Sequence, residues 1–395
     1  MKILFIHNRY RQHGGEDVAV ELETSLLQQK GHEVQTIIFN NEEPSGVLNK
    51  LRFGRNAIYN KTSARLVKKT IETFRPDIVH VHNWFFAASP SVLFAASKTG
   101  VPVIMTIHNY RLVCSNALLL RNNLPCELCV QQTFPLHGIR YKCYRQSASQ
   151  SALVTAITGT HKVLRTWQKK VNTYILLTAF AKSRLQGSSF RADPAKLLIK
   201  PNFIPDPGQG VQPRENFFLF AGRLSTEKGV HVLLNAFQQL AASRLIIVGE
   251  GPERDILHNS YANAANITFE GKLDRTELME LMKRCKAVIF PSLWYEGLPF
   301  TILEAYATGT PVIASRLGSM IELISDGYNG FHFSPGDVGE LKHCIQTIEK
   351  AGPGIERLYT NARQTYLDHY HPDIHYQSII PIYETTIANS RSAHV

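Results

Sequence analysis

The chain predicts two α/β domains, each built on a parallel sheet, facing each other across a cleft. Three observations carry this. Short continuous apolar runs alternate with stretches of helical spacing through both halves, as strands buried on both faces require. At 395 residues the chain is too long for one ordinary core. The segment Pro201 to Pro213 holds four prolines and two glycines, more than a packed element tolerates, and reads as a linker. The expected boundaries are a first domain over 1–200 with an insertion at 109–145, a linker over 201–213 and a second domain over 214–370. A terminal helix over 371–395 is expected to pack back on the first domain.

Element by element, Lys2–His7 is a strand, followed by a loop holding Gly14 and Gly15. The apolar run of Met1–Tyr10 is too short for a signal peptide and lacks a small-residue cleavage site. Val18–Lys30 has helical spacing, with Gly31 as its C-cap. Strands follow at Glu33–Phe39, Ile78–Val81 and Val103–Ile107, with a helix at Ser89–Lys98. The insertion Asn109–Arg145 is polar and irregular. Helical spacing returns over Ser147–Lys170, then a strand at Thr173–Thr178, a helix from Phe180 and a strand at Leu197–Lys200. The second series runs Phe217–Phe220, Val230–Leu240, Leu245–Val248, Ile267–Phe269, Thr276–Arg284, Val288–Phe290, Pro299–Ala307 and Val312–Ala314. Ligands of such sheets bind beyond the carboxyl ends of the strands, so the loops after the strands matter most.

Composition is that of a globular protein, with 44% hydrophobic and 19% charged residues. No run of about 18 apolar residues is present, which excludes a spanning helix and sets the cytoplasm as the expected compartment. Charge is uneven. Residues 1–200 carry 27 Lys and Arg against 11 Asp and Glu, a balance of +16; the remainder carries −5. The first half is therefore expected to meet something anionic, or to be basic for solubility alone. Lys50–Lys69 concentrates the charge: Lys50, Arg52, Arg55, Lys61, Arg65, Lys68 and Lys69 interleave with Leu51, Phe53, Ile58, Tyr59 and Leu66. Such a stretch reads as a membrane-surface element or as a solvated helix face. No nucleic-acid-binding motif accompanies it.

The chemistry concentrates in three loops of the second half. In Ser292–Ser315, Pro299 suits a first helical turn, Gly309 a C′ position and Pro311 a stop. The N–H groups of Gly297, Leu298, Phe300 and Thr301 would then point into the cleft, where a diphosphate is stabilised by free donors at a helix start. Glu304, one turn in, can accept two hydrogen bonds from a ribose diol, and Glu296 can take sugar hydroxyls. Taken alone, both acids read more readily as solvated helix-end residues. The neighbouring loops shift that balance. Arg223 and Lys228 follow the strand Phe217–Phe220 and can neutralise a departing diphosphate. Gly249-Glu250-Gly251-Pro252 is a tight turn that allows close backbone approach. In the first half Gly14 and Gly15 allow the same, without the full GxGxxG pattern of a dinucleotide oxidoreductase. His7, His80, His82 and His108 end first-domain strands; His108 is the best placed for catalysis.

These motifs resemble the retaining glycosyltransferases of family 4, which have the GT-B fold of two Rossmann-like domains. The resemblance rests on Glu296-Gly-Leu-Pro-Phe-Thr-Ile-Leu-Glu304 with Ala305 to Ser315 after it. Gly222-Arg223-Leu224, Lys228-Gly229, the Gly249 turn and Thr106-Ile107-His108-Asn109 add to it. It implies a hexosyltransferase that uses a nucleoside-diphosphate sugar. Glu304 would hold the ribose, Glu296 the donor sugar, and Arg223 and Lys228 the leaving diphosphate, with Gly15 approaching it from the other domain. His108 would contact the sugar at the reaction centre, and the backbone at Lys272 and Leu273 the nucleobase. Gly14, Gly249, Gly297, Leu298, Pro299 and Phe300 would complete the donor contacts. Related enzymes carry an aspartate where Asn109 stands, so a carboxylate role is absent there; Asn202 matches the strand end before the linker. Such enzymes retain configuration by front-face attack without a protein nucleophile, and no Asp-x-Asp motif occurs, so no catalytic metal is expected. Their acceptors are often lipid-linked, which implies polysaccharide or lipopolysaccharide assembly at an inner membrane face. A nucleotide-sugar epimerase of the same fold and a non-catalytic basic binding protein are the competing readings.

Four of six cysteines lie in the insertion: Cys114, Cys126, Cys129 and Cys143. Four thiolates so spaced can close a structural zinc site; reduced structural thiols and a redox pair are the alternatives. Cys285 and Cys344 read as buried apolar residues.

Overall fold

The structure is a computed structural model that describes residues 1–10, 14–41 and 46–392. In the helix Val47–Ile58 the side chains of Val47, Leu48, Lys50 and Leu51 fall outside the described set, so the expectation for Lys50 and Leu51 lies beyond it. The chain divides into two compact units. One holds residues 1–119, 126–202 and 375–395; the other holds 120–125 and 203–374.

Strands of the first unit are β1 (Lys2–Arg9), β2 (Glu33–Asn40), β3 (Ile78–Val81) and β4 (Val103–Ile107). The insertion carries a short antiparallel pair, β5 (Leu120–Arg121) and β6 (Leu124–Pro125). The strands β7 (Thr173–Leu176) and β8 (Leu197–Ile199) complete the unit. Its sheet is parallel, in the order β2-β1-β3-β4-β7-β8. Ile3, Leu4, Phe5 and Ile6 are all fully buried, as a run covered on both faces must be. Ile379 and Tyr383 of the last helix, Pro372–Ser392, join Ile3, Phe5, Val20 and Leu27 in the core.

Three expectations change here. The helix expected over Ser147–Lys170 is two, Ala148–Val163 and Thr166–Lys170, because Arg165 turns left-handed at φ 54°. Lys50–Lys69 is not one amphipathic element. It falls on the helices Val47–Ile58 and Lys61–Phe74, split where the Asn60 side chain accepts the N–H groups of Thr62 and Ser63. The insertion is irregular, yet it also holds the helix Leu136–Arg140, whose Gly138 lies so close to Ser115 that a Cβ would sit 2.2 Å from its Oγ.

The second unit has β9 (Phe218–Ala221), β10 (Leu245–Val248), β11 (Ile267–Gly271), β12 (Ala287–Phe290), β13 (Val312–Ser315) and β14 (Gly330–Phe333). They form a parallel sheet in the order β11-β10-β9-β12-β13-β14. This is the Rossmann order, whose direction reverses between β9 and β12. Leu233, Phe237 and Ile345 pack with Phe218, Leu245 and Ile289. The strand β14 and the helices Val338–Lys350 and Ile355–His369 were not expected from the sequence. The segment read as a linker is anchored within this unit rather than free. Asp206 pairs with Arg363 at 2.6 Å, and the Gly210 N–H donates to Thr308 O. The Arg214 guanidinium donates to the carbonyls of Met282, Thr308 and Gly309 and to Thr310 Oγ1.

Candidate functional site

The reversal between β9 and β12 places the loops that follow these strands side by side, and the sequence-predicted residues of the second unit collect there. Lys228 Nζ donates to Glu296 Oε1 at 2.6 Å, and Ser292 Oγ donates to the same oxygen at 2.7 Å. The Leu293 N–H donates to Glu227 O, so backbone joins the two loops beneath the ion pair. Gly229 turns left-handed at φ 70°, and a Cβ there would lie 1.9 Å from Pro291 O. This close approach is why a glycine follows the lysine. The third loop is knitted in by backbone bonds from Leu224 N to Glu250 O and from Glu253 N to Leu224 O. A Cβ on Gly249 would lie 1.9 Å from Gly222 O.

An ammonium has three donors, so Lys228 keeps two after binding Glu296. Its Nζ also lies 5.4 Å from the Phe290 ring and 5.5 Å from that of Trp294. Arg223 is exposed at the end of β9. The next helix is Phe300–Ala307, with Pro299 as its N-cap rather than its first residue. Its first N–H groups, expected as anion donors, therefore open from Phe300. Gly309 ends the helix at φ 70°. Glu304 is nearly buried one turn in; burial pushes its carboxyl up, and Arg275, 3.4 Å away, opposes that. Lys272 and Leu273 follow β11, just ahead of Arg275. The sequence reading missed Ser292 and Arg275. A serine four residues before the glutamate, and an arginine three residues after Lys272, were signals too local to stand out.

In the first unit the strand-end histidines divide. His7 is buried and its Nε2 contacts Asp17 Oδ1 at 2.8 Å. His80 is buried with Nδ1 on Tyr383 OH and Nε2 on Thr106 Oγ1. His82 Nδ1 meets His108 Nε2 at 3.0 Å. Only His108 of the four is half-buried, and burial drives it down to about 3, so its imidazole is neutral. It lines a pocket with Tyr10, His82, Asn109, Arg111 and Leu112. Gly14 is the N-cap of the helix Gly15–Gln29, and its N–H donates to Asp17 Oδ2. The Gly14 N–H is thus engaged within its own helix start, where Glu16 and Asp17 add negative charge.

Among the described residues, the trio of possible metal ligands drawn within 4.8 Å of one another is Glu23, His80 and His82, not the cysteines. That trio already holds its cation, because Lys200 Nζ lies 3.1 Å from Glu23 Oε2. The insertion thiols nevertheless gather. Burial raises Cys129 to about 12, and nearby Cys114, Cys143 and Cys126 push the same way. Cys114 is raised by burial, while the backbone groups of Leu119, Asn116 and Ala117 favour its thiolate. Lys162, lowered to about 8 by burial, stands beside Cys129 and Cys114 and donates to Gln132 O and Ser189 Oγ.

Two Rossmann-type parallel sheets, with a lysine–glutamate pair at the second sheet's switch point, are the architecture of the GT-B fold class. The family model for glycosyl transferases group 1 matches residues 206–365, and that for glycosyltransferase family 4 matches residues 13–163. The chain belongs to the family 4, group 1 glycosyltransferases. It is 26% identical over 308 residues to a glycogen synthase of Mycobacterium tuberculosis, covering 75% of this chain and 65% of that one. It is 24% identical over 302 residues to the sulfoquinovosyl transferase of Arabidopsis thaliana, covering 72% of this chain and 52% of that protein. The chain thus spans about half to two thirds of the length of these relatives. Among solved structures, Anabaena HepE in complex with UDP superposes with a TM-score of 0.68 at 18% identity, over 98% of this chain and 100% of that one.

Proposed function

We propose that the protein is a retaining hexosyltransferase that moves a sugar from a nucleoside-diphosphate sugar to an acceptor hydroxyl. The observation that carries this reading is the Lys228–Glu296 pair at the β9/β12 switch point, with Glu304 one turn into the adjoining helix. In this reading Glu304 accepts from the ribose diol, Glu296 orients the donor sugar, and Lys228 and Arg223 stabilise charge on the leaving diphosphate. Lys272 and Leu273 border the base, and Gly249, Gly297, Leu298, Pro299 and Phe300 bring backbone against the donor. In the first unit His108 faces the sugar and Gly15 approaches the diphosphate. Positive charge from Lys228 and Arg223 serves where other transferases use a metal, and orientation supplies much of the remaining rate. HepE, the structural neighbour, is a UDP complex, which supports a nucleotide donor here.

A panel of nucleotide-sugars tests this. One donor is expected to raise the melting temperature and to be cleaved slowly to free nucleoside diphosphate; a ligand at 100 times its Kd stabilises by about 2.7 kcal/mol. An epimerised nucleotide-sugar with no diphosphate release would replace the reading by an epimerase. Binding of DNA or RNA with no nucleotide response would replace it by a basic binding protein.

Two further parts belong to the proposal. The thiols of Cys114, Cys126, Cys129 and Cys143 hold a structural zinc that ties the irregular insertion, with Lys162 offsetting the site's negative charge. Elemental analysis is expected to give one zinc per chain, and a metal-free protein of unchanged stability would remove the site. The acceptor is a lipid-linked or polysaccharide glycan, met at an anionic membrane surface. Arg52, Arg55, Lys61, Arg65, Lys68 and Lys69 are exposed, as are Tyr59 and Leu66. Flotation with anionic liposomes at low salt is the check, and protein left at the bottom of the gradient would count against it. No described helix is long and apolar enough to cross a membrane.

A further inference from the structure

The first sheet has its own switch point, between β1 and β3, and the helix that follows β1 starts there. Glu16 lies in the first turn of that helix. Its Oε1 accepts from Asn109 Nδ2 at 2.5 Å, and Asn109 Oδ1 in turn accepts the Arg111 N–H at 3.0 Å. Its other oxygen, Oε2, is buried and has no hydrogen-bond partner. A buried carboxylate oxygen left unpaired is costly, and a catalytic role is one of the reasons native structures keep one.

The neighbouring guanidinium is only partly engaged, and its Nε, like Glu16 Oε2, is buried without a hydrogen-bond partner. Arg111 Nη1 donates to Ser115 O, and its guanidinium stacks 4.3 Å from the Phe85 ring centroid and 5.1 Å from that of Tyr144. The Tyr10 phenol faces Arg111 and Asn83, and burial raises it well above its ordinary range. Asn109 and Arg111 both line the pocket that holds His108.

We propose that Glu16 is a catalytic residue of the first unit, whose Oε2 accepts the hydrogen bond of the attacking hydroxyl and aims its oxygen at the donor sugar. The inference rests on the transferase reading above and names the acceptor-side group for it. In the transfer, the bond between the anomeric carbon and the diphosphate oxygen breaks, with its electron pair going to the diphosphate. The hydroxyl oxygen forms the new bond to that carbon, and its proton passes to the departing diphosphate. Glu16 holds and orients the nucleophile and is unchanged at the end.

The charged groups facing Glu16 are Arg111 from the segment after β4 and Asp17 on its own helix, with the Tyr10 phenol beside it. Burial raises its carboxyl to about 7, while the Asn109 bond and Arg111 oppose the rise. The carboxylate form is needed to accept, so the rate should fall as pH drops through about 7.

The test is hydrolysis of whichever nucleotide-sugar the panel selects, with water in the place of the acceptor hydroxyl. Glu16→Gln is nearly isosteric and should release nucleoside diphosphate about tenfold or more slowly, since a neutral acceptor replaces a charged one. Its affinity for the nucleoside diphosphate should match the wild type. The fall in wild-type rate below pH 7 should vanish in this variant. Asn109→Ala, which removes a bond that lowers the Glu16 carboxyl, should move the same fall to higher pH. Glu16→Gln hydrolysing within twofold of wild type with the acid fall intact, or an unmoved fall in Asn109→Ala, would overturn the proposal. A wild type that hydrolyses no donor would instead remove the transferase reading itself.

Discussion

Replacing Lys228 by alanine is expected to slow sugar transfer on the order of 100-fold or more, the loss seen when a preorganised charge stabiliser is removed. Two effects act together. The diphosphate loses the cation that neutralises it as the sugar departs, and Glu296 is left buried with only Ser292 Oγ on its Oε1. The second effect misplaces the carboxylate that orients the donor sugar, so the loss should appear in kcat more than in KM. Lys228→Arg should not rescue fully, because an ammonium seated 2.6 Å from Glu296 Oε1 and 5.5 Å from the Trp294 ring is a compact point charge that a longer planar fork does not reproduce. Arg223→Ala, made in parallel, removes the exposed charge of the same loop without disturbing the pair. Steady-state rates with the selected donor are the measurement. Turnover of Lys228→Ala within threefold of wild type would end the assignment of this loop to the diphosphate.

Lys200→Met is expected to destabilise the first unit by about 3–5 kcal/mol, since it strands a buried carboxylate. Lys200 and Glu23 have side chains only 2% and 3% exposed and meet at 3.1 Å. His375 Nε2 lies 3.0 Å from the ammonium and 3.1 Å from Glu23 Oε2, and the Tyr383 hydroxyl donates to Glu23 Oε1. Burial opposes the Glu23 charge, but Lys200, then His80 and His375, outweigh it and hold its carboxyl well below the usual range. The drop in melting temperature should be on the order of 10 °C. Glu23→Gln with Lys200→Met should recover much of it, because the stranded charge is gone. A single Lys200→Met that melts with the wild type would show that the pair is not a source of stability.

The same cluster predicts acid sensitivity. His108 is lowered to about 3 and His375 to about 4 by burial, and His80 and His82 are lowered too. Unfolded histidines take up protons below about pH 6.5 that these folded ones refuse. Stability should therefore fall as pH drops from about 6.5, before the Glu23 contribution is lost through its own lower carboxyl range. Melting curves between pH 7.5 and 5 check this, and a flat profile would contradict it.

Much of the fold was legible in one dimension. Ile78–Val81, Val103–Ile107 and Leu245–Val248 are strands with the expected bounds, because strands covered on both faces leave short apolar runs between turn residues. Gly31 and Gly309 marked helix ends because a left-handed residue is required there, at φ 85° and 70°. The split at Asn60 and the break at Arg165 were not legible. A side-chain cap and a single left-handed arginine leave no signature in periodicity. The strand β14 also escaped, since Gly330–Phe333 is only half buried and short.

At the candidate site the division follows the same physics. Local chemistry is written in the chain: a glycine where backbone must approach, a proline at a helix start, acids and bases in loops after strands. The sequence by itself determined two parallel sheets and a set of loop residues able to meet a nucleotide-sugar. Strand order is decided by long-range packing, and only the tertiary structure could show that the β9 and β12 loops are neighbours, bringing Lys228 onto Glu296. It also decided the histidines, turning three of four strand-end imidazoles into buried structural groups. Glu16 shows the limit most clearly. As one acid beside a Gly-Gly pair it carried no signal, because the Asn109 contact that singles it out lies 93 residues away, and burial of an oxygen is set by neighbours that no local pattern encodes.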